Sequence, residues 1–112
     1  MIIYLFMLII MLSCSSPEKE TQQTLPEGDN QELAQLHEAD QKDRKGIIDW
    51  SEVSVRDSER LARVNQMLEE GLIVTGKDHY HAAMIYQHGY ETKDSRLAVE
   101  MMRKAIALDS TV

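Results

Sequence analysis

Hydrophobic positions along the chain fall into two regimes. Ile2 to Leu12 is an unbroken apolar run, whereas from Ser15 onward apolar residues come singly or in pairs at helical spacing among charged and amide side chains. Ser15 to Asp29 holds both prolines and one large apolar residue, Leu25, a composition that buries too little surface to order itself. It reads as a flexible tether with a contour of at most about 50 Å at ~3.3 Å per residue.

Beyond the tether the pattern predicts four helices. Asp29 or Asn30 caps the first, Glu32 stands in its first turn, and Gly46 stops it. Its apolar stripe is thin: Leu33 and Leu36 share a face with Ala39 or Asp40, and Arg44 lies one turn after Asp40, so the stripe passes from leucine into an ion pair. Ile47, Ile48 and Trp50 form a short apolar cluster expected to plug the first two helices together. The second helix is expected from near Ser54 to just before Gly71, with Leu61, Val64 and Leu68 on one face and Asp57 one turn before Leu61. Leu72 to Gly76 is too short for a helix and reads as a buried connection. Asp78 is expected to cap a third helix, His79 to His88, ended by Gly89; Thr92 or Asp94 caps a fourth that ends near Leu108. A link of about five residues makes these two antiparallel neighbours. Ala82, Ala83, Ala98 and Ala105 let their backbones approach closely.

The expected fold is therefore all-α, a small antiparallel bundle of about four helices ending in a helical hairpin. With 112 residues there is room for one domain, and the chain divides into residues 1–13, 14–29 and 30–112. Aromatic residues beyond the leader are few (Trp50, Tyr80, Tyr86 and Tyr90), so the core must come from Leu, Ile, Val, Met and Ala, which suits packed helices. Met67, Met84, Met101 and Met102 recur at helical spacing and are expected as core filler. The formal charge of −7 is uneven: residues 15–59 carry 12 acids against 5 bases, residues 60–112 seven of each. Neither half clusters Lys and Arg as phosphate binding requires, which excludes nucleic acid as a partner.

The leading apolar run is too short to span a bilayer, which takes about 20 residues, but matches the apolar core of a signal peptide. Directly after it come Ser13 and Cys14, then Ser15, Ser16 and Pro17, and Cys14 is the only cysteine. This junction resembles the lipobox of bacterial lipoproteins, with Met11 where that family most often has leucine and no Lys or Arg ahead of the run. The resemblance implies a diacylglyceryl group on the Cys14 thiol, loss of residues 1–13 and acylation, such as palmitate, of the new amino terminus. The implied partner is then a membrane, cell or outer, reached through acyl chains on Cys14. The residues themselves also fit a secretory leader cut at an ordinary site, or an interfacial anchor that stays. With several chains the hold is firm, since each buried methylene contributes about 0.8 kcal/mol.

Two further resemblances concern the helical part. His79 to Asp109 is similar to a tetratricopeptide or Sel1-type repeat in its small-residue spacing, although no second copy stands upstream. The segments Asp40-Gln41-Lys42-Asp43-Arg44 and Ala82-Ala83-Met84-Ile85-Tyr86-Gln87-His88-Gly89 resemble the marks of an uncharacterised bacterial helical family, a domain of unknown function, over roughly residues 35 to 109. That resemblance implies an α-helical domain and brings no activity. Relatives of this type continue with another helix, so the domain is expected to be cut short at Val112.

Candidate chemistry is sparse. His79, His81 and His88 lie on one predicted helix, but His79 and His81 point to different faces and His81 and His88 are about 10 Å apart along the axis, so no metal site and no cofactor is expected. The stronger constellation is Asp40, Arg44, Asp57, Gln87 and His88, because carboxylates on apolar stripes must be compensated if buried. In one reading Asp40 or Asp57 orients His88 and Arg44 supplies an anion contact, a minimal hydrolase-like set. In the other Arg44 pairs with Asp40 within one helix while Gln87 and His88 bond helix-end carbonyls, a structural lock. No nucleophile elbow, phosphate loop, zinc ligand set or dinucleotide fingerprint is present. The function expected is a lipid-anchored envelope module that binds a protein or peptide on its hairpin without catalysis; the alternatives are an envelope hydrolase and a truncated remnant.

Overall fold

Asn30 starts the helical region by satisfying three partners at once. Its Oδ1 accepts the Leu33 amide at 3.0 Å, its Nδ2 donates to the Leu72 carbonyl at 3.1 Å, and its own amide donates to Asp78 Oδ1 at 2.7 Å. A cap of this kind is worth about 1 kcal/mol; here it also ties the start of the first helix to the start of the third. The computed structural model describes residues 26–112, so the expected leader (residues 1–13), Cys14 and the tether as far as residue 25 lie outside the described residues. The described residues form α1 (Gln31–Asp43), α2 (Trp50–Glu69), α3 (Gly76–Tyr86) and α4 (Thr92–Leu108), with no strand among them. The all-α fold is as the hydrophobic pattern predicts.

Three helix starts differ from the expected ones, because other residues hold the N-cap positions, Asp49, Thr75 and Glu91. Asp49 accepts the amides of Ser51 and Glu52, at 3.0 and 3.4 Å, and so starts α2 at Trp50, several residues before Ser54. Trp50 is then carried outward on the first turn at 62 % exposure and Ile47 is fully exposed, so the expected apolar plug does not form. Thr75, not Asp78, caps α3: Thr75 Oγ1 accepts the Asp78 amide at 3.1 Å and Asp78 Oδ2 accepts the Thr75 amide at 3.1 Å. At its far end α3 closes at Tyr86, where the amides of His88 and Gly89 reach back three residues to Ile85 and Tyr86. Asp94 likewise sits inside α4, its Oδ2 accepting the Glu91 amide at 3.0 Å.

α3 is the central element, packed against each of the other three helices, whereas among the described helices α4 packs on α3 alone. Leu33, Val64, Met67, Ile73, Ala82, Ala83, Ile85, Tyr86 and Met101 form the core, with Tyr86 Oη donating to Asn65 Oδ1 at 2.8 Å. Val53, Arg60, Val64 and Met67 are the buried side of α2, so the inward face is turned slightly from the expected one and leaves Leu61 and Leu68 half-buried beside the core. Of the four methionines expected to fill the core, Met67 and Met101 do so; Met84 and Met102 are only half-buried. Leu72 to Gly76 does connect α2 to α3 through the interior, with Ile73 and Gly76 buried.

Glycines set the spacing of the antiparallel α3–α4 hairpin at both ends. A Cβ on Gly76 would come within 2.7 Å of Asp109 Cβ and 3.2 Å of the Ala105 carbonyl, and one on Gly89 would collide with the Asp94 side chain. Ala82, Ala83 and Ala105 are buried between these points. Gly76→Ala and Gly89→Ala are therefore each expected to cost about 1–3 kcal/mol through overpacking. Urea unfolding followed by circular dichroism reads this as a lowered midpoint at unchanged slope; wild-type midpoints in both variants would show that the helices are not seated this closely.

Candidate functional site

Opposite charges line the facing sides of α1 and α2. Glu32, Asp40 and Asp43 on the first meet Arg63, Arg60 and Arg56 on the second, and the order of the pairs makes the helices antiparallel. Near the α1 C-terminus these contacts condense into a network. Asp40, 1 % exposed, accepts Arg44 Nη1 at 2.9 Å on Oδ1 and Gln41 Nε2 at 2.9 Å on Oδ2. Arg44 Nη1 also donates to the Asp40 carbonyl at 3.0 Å, and its Nη2 donates to Asp57 Oδ2 at 2.8 Å. Asp57 Oδ1 accepts Arg60 Nη2 at 2.8 Å, while Arg60 Nη1 lies 2.9 Å from Asp43 Oδ2, which also accepts Arg56 Nε at 2.8 Å. Three carboxylates thus face three guanidiniums. Buried Arg60 Nε has no hydrogen-bond partner, its nearest carboxylate oxygen being Asp40 Oδ1 at 3.9 Å.

His88 joins this network from the end of α3. Its Nε2 stands 3.5 Å from Asp40 Oδ2 and 3.4 Å from Gln87 Nε2, and Gln87 Nε2 reaches Met84 Sδ at 3.6 Å. The structure therefore brings together Asp40, Arg44, Asp57 and His88, with Gln87 at the rim. Asp40, not Asp57, faces His88, because both Asp57 oxygens are taken by arginines. Gln87 and His88 do not bond helix-end carbonyls through their side chains as the structural-lock reading expects; their backbone amides close the helix instead. Arg60, Asp43 and Arg56 complete the network without having been singled out by their spacing.

Electrostatics follow the geometry. Burial pushes the Asp57 carboxyl up, yet the hydrogen bonds from Arg44 and Arg60 outweigh it and hold its pKa below the ordinary 3.8. Asp43 is held below 3.8 chiefly by its hydrogen bond to Arg56. Burial lowers His88 beneath its ordinary 6.5, with Asp40 opposing, so its imidazole is neutral near pH 7. A neutral imidazole beside a carboxylate has the composition of a general base and its orienting group. Arg44, however, already holds Asp40 and Asp57 with its two terminal nitrogens, so its charge is met within the network.

Elsewhere His37 of α1 and His81 of α3 stack at 4.5 Å between ring centroids, with the Tyr80 ring edge-on to His37. Burial lowers both imidazoles below 6.5, and each keeps one ring nitrogen buried without a hydrogen-bond partner. His79 instead places Nδ1 2.7 Å from the Thr75 carbonyl. Among the described residues no three His, Cys, Asp or Glu side chains gather as a metal site, and no described helix is long and apolar enough to cross a membrane. Between α3 and α4 runs a groove of about 330 Å³, lined by Ala83, Met84, Gln87, Ser95, Ala98, Val99 and Met102. No family model, curated protein or solved structure matches the chain.

Two tests follow. Asp40→Asn removes one charge from the buried network and is expected to destabilise the fold by about 3–5 kcal/mol, read from urea midpoints; a loss under about 1 kcal/mol, the range of exposed pairs, would contradict its role. Stability should also fall with pH in two stages. Because His37, His81 and His88 bind protons less readily folded than unfolded, the unfolded chain gains protons first as pH drops through 6.5, and stability declines from there to the folded values. Below 3.8 the unfolded carboxylates protonate before Asp43 and Asp57, and it declines again. Midpoints that stay level from pH 7 to 5 would contradict the first stage.

Proposed function

We propose that the protein is a lipid-anchored adaptor of the bacterial cell envelope, held by acyl chains on Cys14 and offering its α3–α4 hairpin to a protein or peptide partner. The observation that carries this reading is the open groove between α3 and α4, apolar along Ala83, Met84, Ala98 and Met102 and closed by the polar tips of Gln87 and Ser95. Grooves of this kind accept the apolar face of a helix or extended peptide. The envelope address rests on the apolar run Ile2 to Leu12 ending at Cys14 and its likeness to a lipobox. The likeness to an uncharacterised helical family is supported by the meeting of its two marks in space, Asp40 and Arg44 with His88. Nothing in that likeness supplies an activity, and the hairpin's likeness to tetratricopeptide and Sel1-type repeats favours a binding role.

A second reading, an envelope hydrolase built on His88 with Asp40, Asp57, Arg44 and Gln87, draws on the 3.5 Å approach of His88 Nε2 to Asp40. It is the weaker because Arg44 is spent within the network and no hydroxyl or thiol nucleophile is hydrogen-bonded to His88 among the described residues.

Mass spectrometry of the mature amino terminus is expected to show acylated Cys14, and Cys14→Ser to leave the protein unacylated; an unmodified Cys14 on the native protein excludes the anchor. For the groove, a photo-crosslinking residue at Ser95 of the anchored protein is expected to give a discrete adduct that Ala98→Glu abolishes without unfolding the domain. Adducts indifferent to Ala98→Glu would remove the hairpin as the binding surface. His88→Ala should leave the adduct intact.

A further inference from the structure

The outward side of α4 combines basic and exposed apolar side chains. α4 buries Asp94, Met101 and Ala105 towards α3 and meets no other described helix. On its opposite side Arg96, Val99, Arg103 and Ile106 follow one another at three- and four-residue steps, which places them in a single solvent-facing stripe. Val99 and Ile106 are 52 % and 55 % exposed. Glu100 borders the stripe and pairs with Lys104 at 3.0 Å, as Glu91 pairs with Lys93 at 3.2 Å, so among the described residues Arg96 and Arg103 are its unpaired cations. α4 carries four bases and two acids, one of them the buried Asp94, whereas α1 carries one base and four acids and α2 three bases and four acids. Among the described helices α4 is thus the one with net positive charge, on a chain whose formal charge is −7.

We infer that this stripe is a lipid-docking surface: α4 lies along an anionic bilayer, with Arg96 and Arg103 at the headgroups and Val99 and Ile106 dipping between them. The inference rests on the acyl anchor proposed above. Residues 15–29 can stretch at most about 50 Å, so an anchored domain always has a bilayer within reach and a weak surface becomes an effective one through its high local concentration. The acidic α1 is repelled by anionic headgroups while the basic α4 is drawn to them, so one orientation is selected. Two exposed β-branched residues are too few to hold the domain unaided, which is why the occupant is the surface the tether supplies.

Cys14 is the only cysteine, and its thiol is blocked once acylated, so Ala107→Cys puts a single reactive thiol beside the stripe without altering it. The acylated full chain, labelled there with an environment-sensitive dye, is mixed with phosphatidylcholine vesicles containing phosphatidylglycerol at about one part in three. The expected result is a blue shift and a severalfold rise in emission, absent on pure phosphatidylcholine and reversed at about 1 M salt, where the screening length is ~3 Å. Each unit of charge near an anionic surface changes attraction about fivefold, and Arg96→Glu/Arg103→Glu changes the charge by four, so the double variant should weaken docking by roughly several hundredfold and abolish the signal. Both side chains are exposed, so an unchanged urea midpoint shows that the fold persists.

Anchoring is scored separately, by the mass of the amino terminus and by flotation with the vesicles. Protein that floats while its dye stays silent overturns the docking and leaves the anchor standing. If Cys14 carries no lipid, Cys14→Ser with an amino-terminal histidine tag on nickel-chelating lipid replaces the acyl chains, and the same dye signal decides the stripe alone. A dye that ignores every vesicle but responds to a bound polypeptide overturns the lipid reading in favour of a protein partner.

Discussion

The buried pairing of Asp40 with Arg44, extended through Asp57 and Arg60, is what joins α1 to the rest of the bundle. α1 buries just two residues, Leu33 and Asp40, so hydrocarbon fastens its first turn while charge fastens its last. A buried ion pair gains little net stability over a well-packed apolar one, because desolvation offsets most of the attraction. It does penalise every arrangement that leaves one partner alone. A one-turn slip of α1 along α2 would separate Arg44 from Asp57 and Asp43 from Arg60, leaving charges unmatched in a site where Asp40 is 1 % exposed. The network thus sets register and direction, and the core formed by Leu33, Val64, Met67, Tyr86 and Met101 supplies the burial that the charges do not.

The same completeness bears on function. A catalytic group must keep some hydrogen-bonding capacity for a substrate, yet Asp57 gives one oxygen to each of two arginines and Arg44 bridges two carboxylates. Beyond the unpartnered Arg60 Nε, freedom lies at the rim: the neutral His88, the exposed Gln87, and an Asp40–His88 separation of 3.5 Å that is long for a hydrogen bond. The groove, by contrast, lies on the other side of Gln87, where Met84 and Met102 offer adaptable apolar contact. Charge pairing is thus concentrated within the bundle, and the apolar groove lies open on its surface.

How much of this was legible in the sequence depended on how local each interaction is. Four helices were readable because caps, glycines and apolar spacing act within a few residues. Their starts are less legible where more than one capping residue is on offer: Asp49 caps α2 ahead of Ser54, and Thr75 caps α3 ahead of Asp78. Asp40 and Arg44 were legible as an i,i+4 pair, and Asp57 as an acid on an apolar stripe. Arg60 and Asp43 were not, since their pairing crosses between helices and needs the register. A signal did exist in the matching stripes, acids at 32, 40 and 43 and arginines at 56, 60 and 63. The His37–His81 stack joins residues far apart in sequence and left no local trace. The trio on the predicted third helix drew attention instead, although His79 is satisfied by the carbonyl one turn back.

The domain therefore combines two kinds of cohesion, and their placement bears on what each end can do. At the α1–α2 end, polar groups are matched in pairs and the geometry tolerates little displacement. At the α4 end, cohesion comes from close backbone approach at Gly76 and Gly89, small side chains and one large anchor, Met101. Because α4 leans on α3 alone among the described helices, its outer half touches no other described helix. That outer half carries Arg96, Val99, Arg103 and Ile106 in one line, with Glu100 beside the arginines, and gives α4 a net positive charge on a chain whose formal charge is −7.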